Sequence, residues 1–226
     1  MALTLAFDVY GTLIDTTSVV AALTQHLGDE AVAFSHFWRE KQLEYSFRRG
    51  LMQNYQNFNL CTRQALEAAS NHFKAPLSEA TKDALMEAYK QLPAFPEAKQ
   101  GLTTLDAIGA RMFAFSNGLT EDVSQLLAGA GILGYFQDVI SVDEIRTYKP
   151  NPAVYCHFLR RTKSRNTETW LISSNPFDVI GAISAGLLSV WVKRSPDITF
   201  DPWEIQPTLV VENLTQLEET IANYIQ

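Results

Sequence analysis

From Pro96 onward, short apolar runs alternate with segments of helical period, and this alternation constrains the fold more than any other feature of the chain. A helix to about Ile108 leads through Gly109 to a strand at Met112 to Phe115, then to Ser116-Asn117-Gly118 and a helix from about Thr120 to Ala130. A strand at Asp138 to Ser141, a helix at Pro152 to Arg161, a strand at Thr169 to Ile172, a helix at Phe177 to Ala185 and a strand at Leu187 to Val192 follow. Strands alternating with helices of this length specify an α/β fold with a parallel sheet covered on both faces. Leu209 to Val211 adds an edge strand, and Leu214 to Tyr224 a closing helix.

The N-terminal stretch supplies one more strand, Leu3 to Val9, which ends on the carboxylate of Asp8 and then on Tyr10-Gly11-Thr12. In open α/β sheets, ligands bind outside the carboxyl ends of the strands, so an Asp here followed by Gly-Thr is well placed for chemistry; an ordinary Asp-initiated turn accounts for the same residues. From Thr16 the period changes. Val19, Val20, Leu23 and Leu27 recur at helical spacing and Gly28 closes that helix; a second helical run begins near Val32, and two more span about Thr62 to Phe73 and Ser78 to Gln91. Four helices with no strand between them read as an insertion over residues 16–92, a helical cap of four-helix-bundle type, and Pro93 and Pro96 mark the return. The expected organisation is a core of residues 1–15 and 93–226 and a cap of residues 16–92.

Composition narrows the partners. With 18 Lys and Arg against 25 Asp and Glu, the net charge is -7 and no dense basic patch is present, which argues against nucleic acid and anionic membranes. No apolar run reaches the ~18 residues of a membrane span, and the N-terminus has no signal-peptide pattern, so a cytoplasmic location is expected. Cys61 and Cys156 make no disulfide framework and no metal-type spacing. The four histidines, His26, His36, His72 and His157, share no partner spacing and receive no role.

The strand ends are where chemistry can gather. Asp8, Ser116 and Ser173-Ser174-Asn175 each follow a short apolar strand, and Lys149 lies in the loop after another. Right-handed crossovers bring these ends to one edge of the sheet, so a carboxylate, two hydroxyl-amide turns and an ammonium should share a cleft. Taken singly, Lys149 reads as a solvated loop cation and the Ser-Asn turns as helix caps. Capping and anion binding are compatible, because free N–H groups at a helix start also receive carboxylates.

Asp8-Val9-Tyr10-Gly11-Thr12, Ser116-Asn117-Gly118, Tyr148-Lys149-Pro150 and Ser173-Ser174-Asn175-Pro176-Phe177-Asp178, in this order and spacing, resemble the four motifs of the haloacid dehalogenase superfamily. The cap segment Phe37-Trp38-Arg39-Glu40-Lys41-Gln42-Leu43-Glu44-Tyr45 is similar to the helix that carries the halide-binding arginine of the L-2-haloacid dehalogenases, and Tyr10 is characteristic of that group. The resemblance implies a Rossmann-like core, a helical cap, pairing of two copies through cap helices, and hydrolysis of short 2-haloacids with release of halide.

It also implies roles. Asp8 is the nucleophile; Lys149 keeps it ionised, Thr12 and Ser173 hydrogen-bond around it, and Asp178 orients or deprotonates water. Asn175 shapes its loop and contacts Lys149 or Asp178. Ser116 with nearby backbone N–H groups receives the substrate carboxylate. Arg39, Asn117 and Phe177 receive the halide. Tyr10, Leu43, Phe58 and Phe177 form an apolar wall, and Tyr155 stands near Lys149. Apolar residues at these spacings equally serve as core. Phosphatases of the superfamily carry a second Asp where Tyr10 stands, to protonate a leaving alkoxide. A halide leaves as a stable anion and needs no such acid; the magnesium site of the phosphatases balances a doubly charged phosphate, whereas Lys149 with Arg39 balances a monoanionic haloacid, so no metal and no cofactor are expected. A magnesium-dependent phosphatase of the same fold is the alternative.

Overall fold

The computed structural model describes residues 3–225; residues 1, 2 and 226, which the expected core bounds include, lie outside the described residues. Strands β1 (Thr4–Phe7), β2 (Arg111–Ser116), β3 (Asp138–Ser141), β4 (Thr169–Ser173), β5 (Leu188–Val192) and β6 (Leu209–Val211) form one sheet in the order β3-β2-β1-β4-β5-β6, and every pair is parallel. Buried on both faces, the central strands carry unbroken apolar runs, Leu5-Ala6-Phe7 in β1 and Trp170-Leu171-Ile172 in β4. The chain builds outward from β1 to β3 on one side and from β4 to β6 on the other. The topological switch therefore lies between β1 and β4, at the ends carrying Asp8 and Ser173.

Helices α1 (Val19–Leu27), α2 (Ala31–Leu51), α3 (Phe58–His72) and α4 (Glu79–Tyr89) follow β1 without an intervening strand. Gly28, at φ 54°, ends α1, and Ser78 caps α4 by accepting from Thr81 N at 3.1 Å. α3 begins at Phe58, four residues before the expected Thr62, because the Asn57 side chain accepts from Leu60 N at 3.0 Å and caps the helix there. The chain segments leading into and out of these four helices pair with each other: Asp15 N donates to Pro93 O and Phe95 N to Leu13 O, each at 2.9 Å.

The remaining helices are α5 (Ala98–Ala107), α6 (Thr120–Gly129), α7 (Pro152–Thr162), α8 (Pro176–Ser184) and α9 (Leu217–Ile225). Pro152 and Pro176 stand in the first turns of α7 and α8, where a missing N–H leaves no bond unmade. Among the described residues, no helix is long and apolar enough to cross a membrane.

Candidate active site

Asp8 stands one residue past β1, and the turn after it is tight. Gly11 takes φ 85°, a conformation that strains any side chain, and donates its N–H to Ile14 O at 2.8 Å. This folds Thr12 back over the carboxylate. Asp8 Oδ2 accepts from Thr12 Oγ1 at 2.8 Å, Ser173 Oγ at 3.2 Å and Asn175 Nδ2 at 2.7 Å. Among the described residues, Asp8 Oδ1 accepts from Lys149 Nζ alone, at 3.2 Å. One oxygen is thus fixed by three donors and the other has one partner.

Lys149 is 1% exposed, and its three N–H bonds each find an acceptor: Asp8 Oδ1, Asp178 Oδ2 at 2.8 Å and Phe115 O at 2.8 Å. Burial opposes its charge, but the Asp178 and Asp8 carboxylates outweigh burial and hold its pKa above the ordinary lysine value. For Asp178, burial dominates over the attraction of Lys149 and, with repulsion from Asp8, raises the carboxyl above the usual range. Tyr155 donates to Asp178 Oδ1 at 2.8 Å, which favours the carboxylate.

Ten residues line a small cavity over Asp8: Asp8, Tyr10, Arg39, Leu43, Phe58, Ser116, Asn117, Lys149, Asn175 and Phe177. Thr12, Ser173, Asp178 and Tyr155 are absent from that lining and form the layer behind it. Tyr155, expected to stand near Lys149, shares Asp178 with it: Asp178 has Lys149 on one oxygen and Tyr155 on the other. Asn175 differs from expectation. Its amide donates to Asp8 Oδ2 and to Tyr10 O at 3.1 Å, not to Lys149 or Asp178, because Asn175 N donates to Ser173 Oγ at 3.1 Å and turns the loop back over β1.

At the far end of the cavity, Asn117 Oδ1 accepts from Lys149 N at 3.0 Å, which orients its amide donors away from that bond. Ser116 Oγ accepts from Gly118 N at 3.0 Å and so retains its own hydrogen for another partner. Arg39, reaching in from α2, donates to Gln42 Oε1 at 2.6 Å. Gln42 is itself buried and donates to Thr62 Oγ1 at 2.6 Å, tying Arg39 to α3. Sequence reasoning missed Gln42, since a glutamine in a helix reads as solvent-facing. Its position three residues after Arg39 was the available signal. Tyr10 is packed 5.9 Å from the Phe58 ring and 5.8 Å from the Tyr89 ring, and burial pushes its phenol up, so it stays neutral. Phe177 meets the ring of Phe47, one helical turn beyond Leu43, edge to face at 5.0 Å.

The residues nearest Asp8 supply an ammonium, amides and hydroxyls, and among the described residues no group of three or more His, Cys, Asp or Glu is arranged to hold a metal. The arrangement can present a carboxylate oxygen to an electrophilic carbon and offer separate donors to two anionic ends.

Comparison with known proteins agrees with this geometry. The family model for haloacid dehalogenase-like hydrolases matches residues 3–186. The chain is 35% identical over 218 residues to haloacetate dehalogenase H-2 of Moraxella sp. (strain B), covering 96% of this chain and 97% of that one. It is 32% identical over 219 residues to the (S)-2-haloacid dehalogenase of Pseudomonas putida, covering 97% and 96%. The structure of L-2-haloacid dehalogenase from Xanthobacter autotrophicus with chloropropionic acid covalently bound aligns with a TM-score of 0.92 at 29% identity, over 98% of this chain and 99% of that one. The chain belongs to the haloacid dehalogenase-like hydrolases and, within them, to the (S)-2-haloacid dehalogenases.

Proposed function

We propose that this protein hydrolyses the carbon–halogen bond of short (S)-2-haloalkanoic acids to give (R)-2-hydroxy acids, with inversion, through an ester on Asp8 and without a metal. The observation that carries the reading is the asymmetry of the Asp8 carboxylate, three donors on Oδ2 and one on Oδ1. Oδ1 is the freer oxygen to attack. The covalently bound chloropropionic acid in the Xanthobacter autotrophicus relative supports a covalent route.

In the first step Asp8 Oδ1 attacks C2 opposite the halogen, a C–O bond forms as the C–halogen bond breaks, and the halide takes the bonding pair. Arg39 and the Asn117 amide stabilise the charge growing on the halide, and Ser116 receives the substrate carboxylate. In the second step water attacks the ester carbonyl. Its oxygen, the former Oδ2, already faces Thr12, Ser173 and Asn175, which form an oxyanion hole. With Asp8 neutral as the ester, Lys149 has lost one of the two charges that hold it as an ammonium. It passes a proton to Asp178 Oδ2, and the lone pair of the amine so formed takes a proton from the attacking water. The ester C–O bond on the Asp8 side then breaks, the leaving oxygen takes the second proton of that water from the tetrahedral intermediate, Asp8 is left as a carboxylate, and the 2-hydroxy acid departs with its oxygen from Asp8.

Metal independence belongs to the same proposal. The Lys149 ammonium bridges Asp8 and Asp178 at 3.2 and 2.8 Å, the place between two carboxylates that a cation would need, and Tyr10 supplies no carboxylate. We further propose the division into a core of residues 1–15 and 93–226 and a helical cap of residues 16–92, supported by the pairing of the two connecting segments at Asp15 and Pro93.

Halide release from (S)-2-chloropropionate and chloroacetate in excess chelator, beside p-nitrophenyl phosphate with magnesium, tests the reading. Release that survives the chelator, with no phosphatase signal, is the expected result. Magnesium-dependent phosphate release with no halide would overturn it in favour of a phosphatase.

A further inference from the structure

The cavity over Asp8 has a free volume of about 10 Å³, room for a single water molecule. A 2-haloacid cannot enter unless side chains move, so the position of the moving part matters. Opening the helical segment as a whole would break polar ties to the rest of the chain: Tyr55 OH to Asp143 Oδ1 at 2.6 Å, Asn59 Nδ2 to Asp122 Oδ2 at 2.6 Å, and Tyr148 OH to Gln56 O. Parting the rings of Phe47 and Phe177 breaks no hydrogen bond and only one aromatic contact.

Beyond those rings lies an apolar groove of about 590 Å³, whose lining includes Phe47, Leu51, Pro152, Ile180 and Trp203. It shares Phe177 and Lys149 with the cavity, so Phe177 divides the two spaces and Phe47 packs against it from the groove side. Arg39, Leu43 and Phe47 are spaced i, i+4, i+8 and share one face of α2, which runs from the halide end of the cavity to the groove.

Resting on the function proposed above, we infer that Phe47 determines substrate chain length: its ring backs Phe177, which closes the cavity against the groove, and the C2 alkyl chain of longer 2-haloalkanoic acids is accommodated by passing between Phe47 and Phe177 into it. Short substituents stay on the cavity side. Phe47 touches neither reacting atom nor halide, so its replacement alters selectivity more than chemistry.

The test is kcat and KM for 2-bromopropionate, 2-bromobutanoate, 2-bromopentanoate and 2-bromohexanoate, for the wild type, Phe47→Ala and Phe47→Leu, with thermal unfolding as a check on the fold. In Phe47→Ala each added methylene should gain up to about fourfold in kcat/KM relative to the wild type, the transfer value of a buried CH₂. The gain falls in KM, and 2-bromopropionate changes by less than about threefold. Phe47→Leu, which keeps an apolar side chain, moves the profile the same way by less and serves if the alanine variant does not fold. A chain-length profile identical to the wild type overturns the inference alone. Absence of halide release from every acid by the folded wild type overturns the dehalogenase reading and the inference with it.

Discussion

On the floor of the cavity, Asp8, Thr12, Lys149, Ser173 and Asp178 are all buried and Lys149 has an acceptor for every donor. On the wall supplied by α2, Arg39 and Leu43 are half-buried, and Arg39 makes one short hydrogen bond, to Gln42 Oε1 at 2.6 Å, and one long one, to Tyr10 O at 3.5 Å. The floor is held from three strand ends and two helix starts, so no single bond decides where the Asp8 carboxylate points. The wall hangs on one helix face and can shift by a rotamer. In the proposed mechanism, this difference separates the groups that must not move during a displacement at carbon from those that must move to admit a substrate.

The comparison breaks first at Lys149. Lys149→Met leaves two buried carboxylates facing each other, and kcat for halide release should fall about 10³-fold, the scale of losing a preorganised electrostatic group. A loss under tenfold, measured by halide release in a variant that still unfolds cooperatively, would show that the floor is less tightly determined than its geometry implies. Arg39→Ala should cost less, about 10²-fold in kcat, since a half-buried guanidinium is partly screened. The loss should fall equally on kcat and kcat/KM, and be larger for 2-chloropropionate than for 2-bromopropionate, because charge reaches the halide only in the transition state. An effect confined to KM would place Arg39 in ground-state binding.

Tyr155→Phe gives the smallest and most specific effect. The Tyr155 hydroxyl favours ionised Asp178, so its removal raises an already raised pKa. Asp178 accepts a proton only when ionised, so activity falls as pH drops through that pKa. The acid limb of the kcat profile should therefore move to higher pH, with the plateau lowered less than about tenfold. An unmoved limb would detach Asp178 from the rate-limiting proton transfer. Gly181→Ala should act in the same direction from outside the cavity, because a Cβ there collides with the Tyr155 hydroxyl and comes within 2.6 Å of Pro150 Cβ.

The strand-end part of the floor was legible in the sequence because its groups sit where local rules operate, whereas the role of Lys149 and the place of Asp178 entered only through the resemblance. Asp8 and Ser173 end apolar strands, Gly11 marks a turn, and Asn175 precedes the proline that opens α8. The parallel order of the sheet followed from the alternation of strand and helix. The wall was harder to read. Arg39 and Leu43 were found through a resemblance, since helical period does not say which face of α2 meets the sheet. Gln42 was missed because its burial depends on Thr62 and Tyr89, far along the chain. The start of α3 was placed late because Gln56-Asn57-Phe58-Asn59 reads as a polar loop until Asn57 is seen as a cap. The partners of Asn175 depended on which way a three-residue turn folds, a choice made by Ser173 Oγ and visible only in space.

The central claim is that Asp8 carries the substrate as an ester whose bond is broken on the Asp8 side. The most direct measurement is a single turnover of (S)-2-chloropropionate by excess enzyme in ¹⁸O-water, with mass analysis of the product and of the peptide containing Asp8. An Asp8 ester cleaved on the Asp8 side leaves ¹⁸O in the Asp8 carboxylate and ordinary oxygen at C2 of the released hydroxy acid. Label at C2 of the first-turnover product, with none in the protein, would mean that water attacks carbon directly and that Asp8 is not the nucleophile.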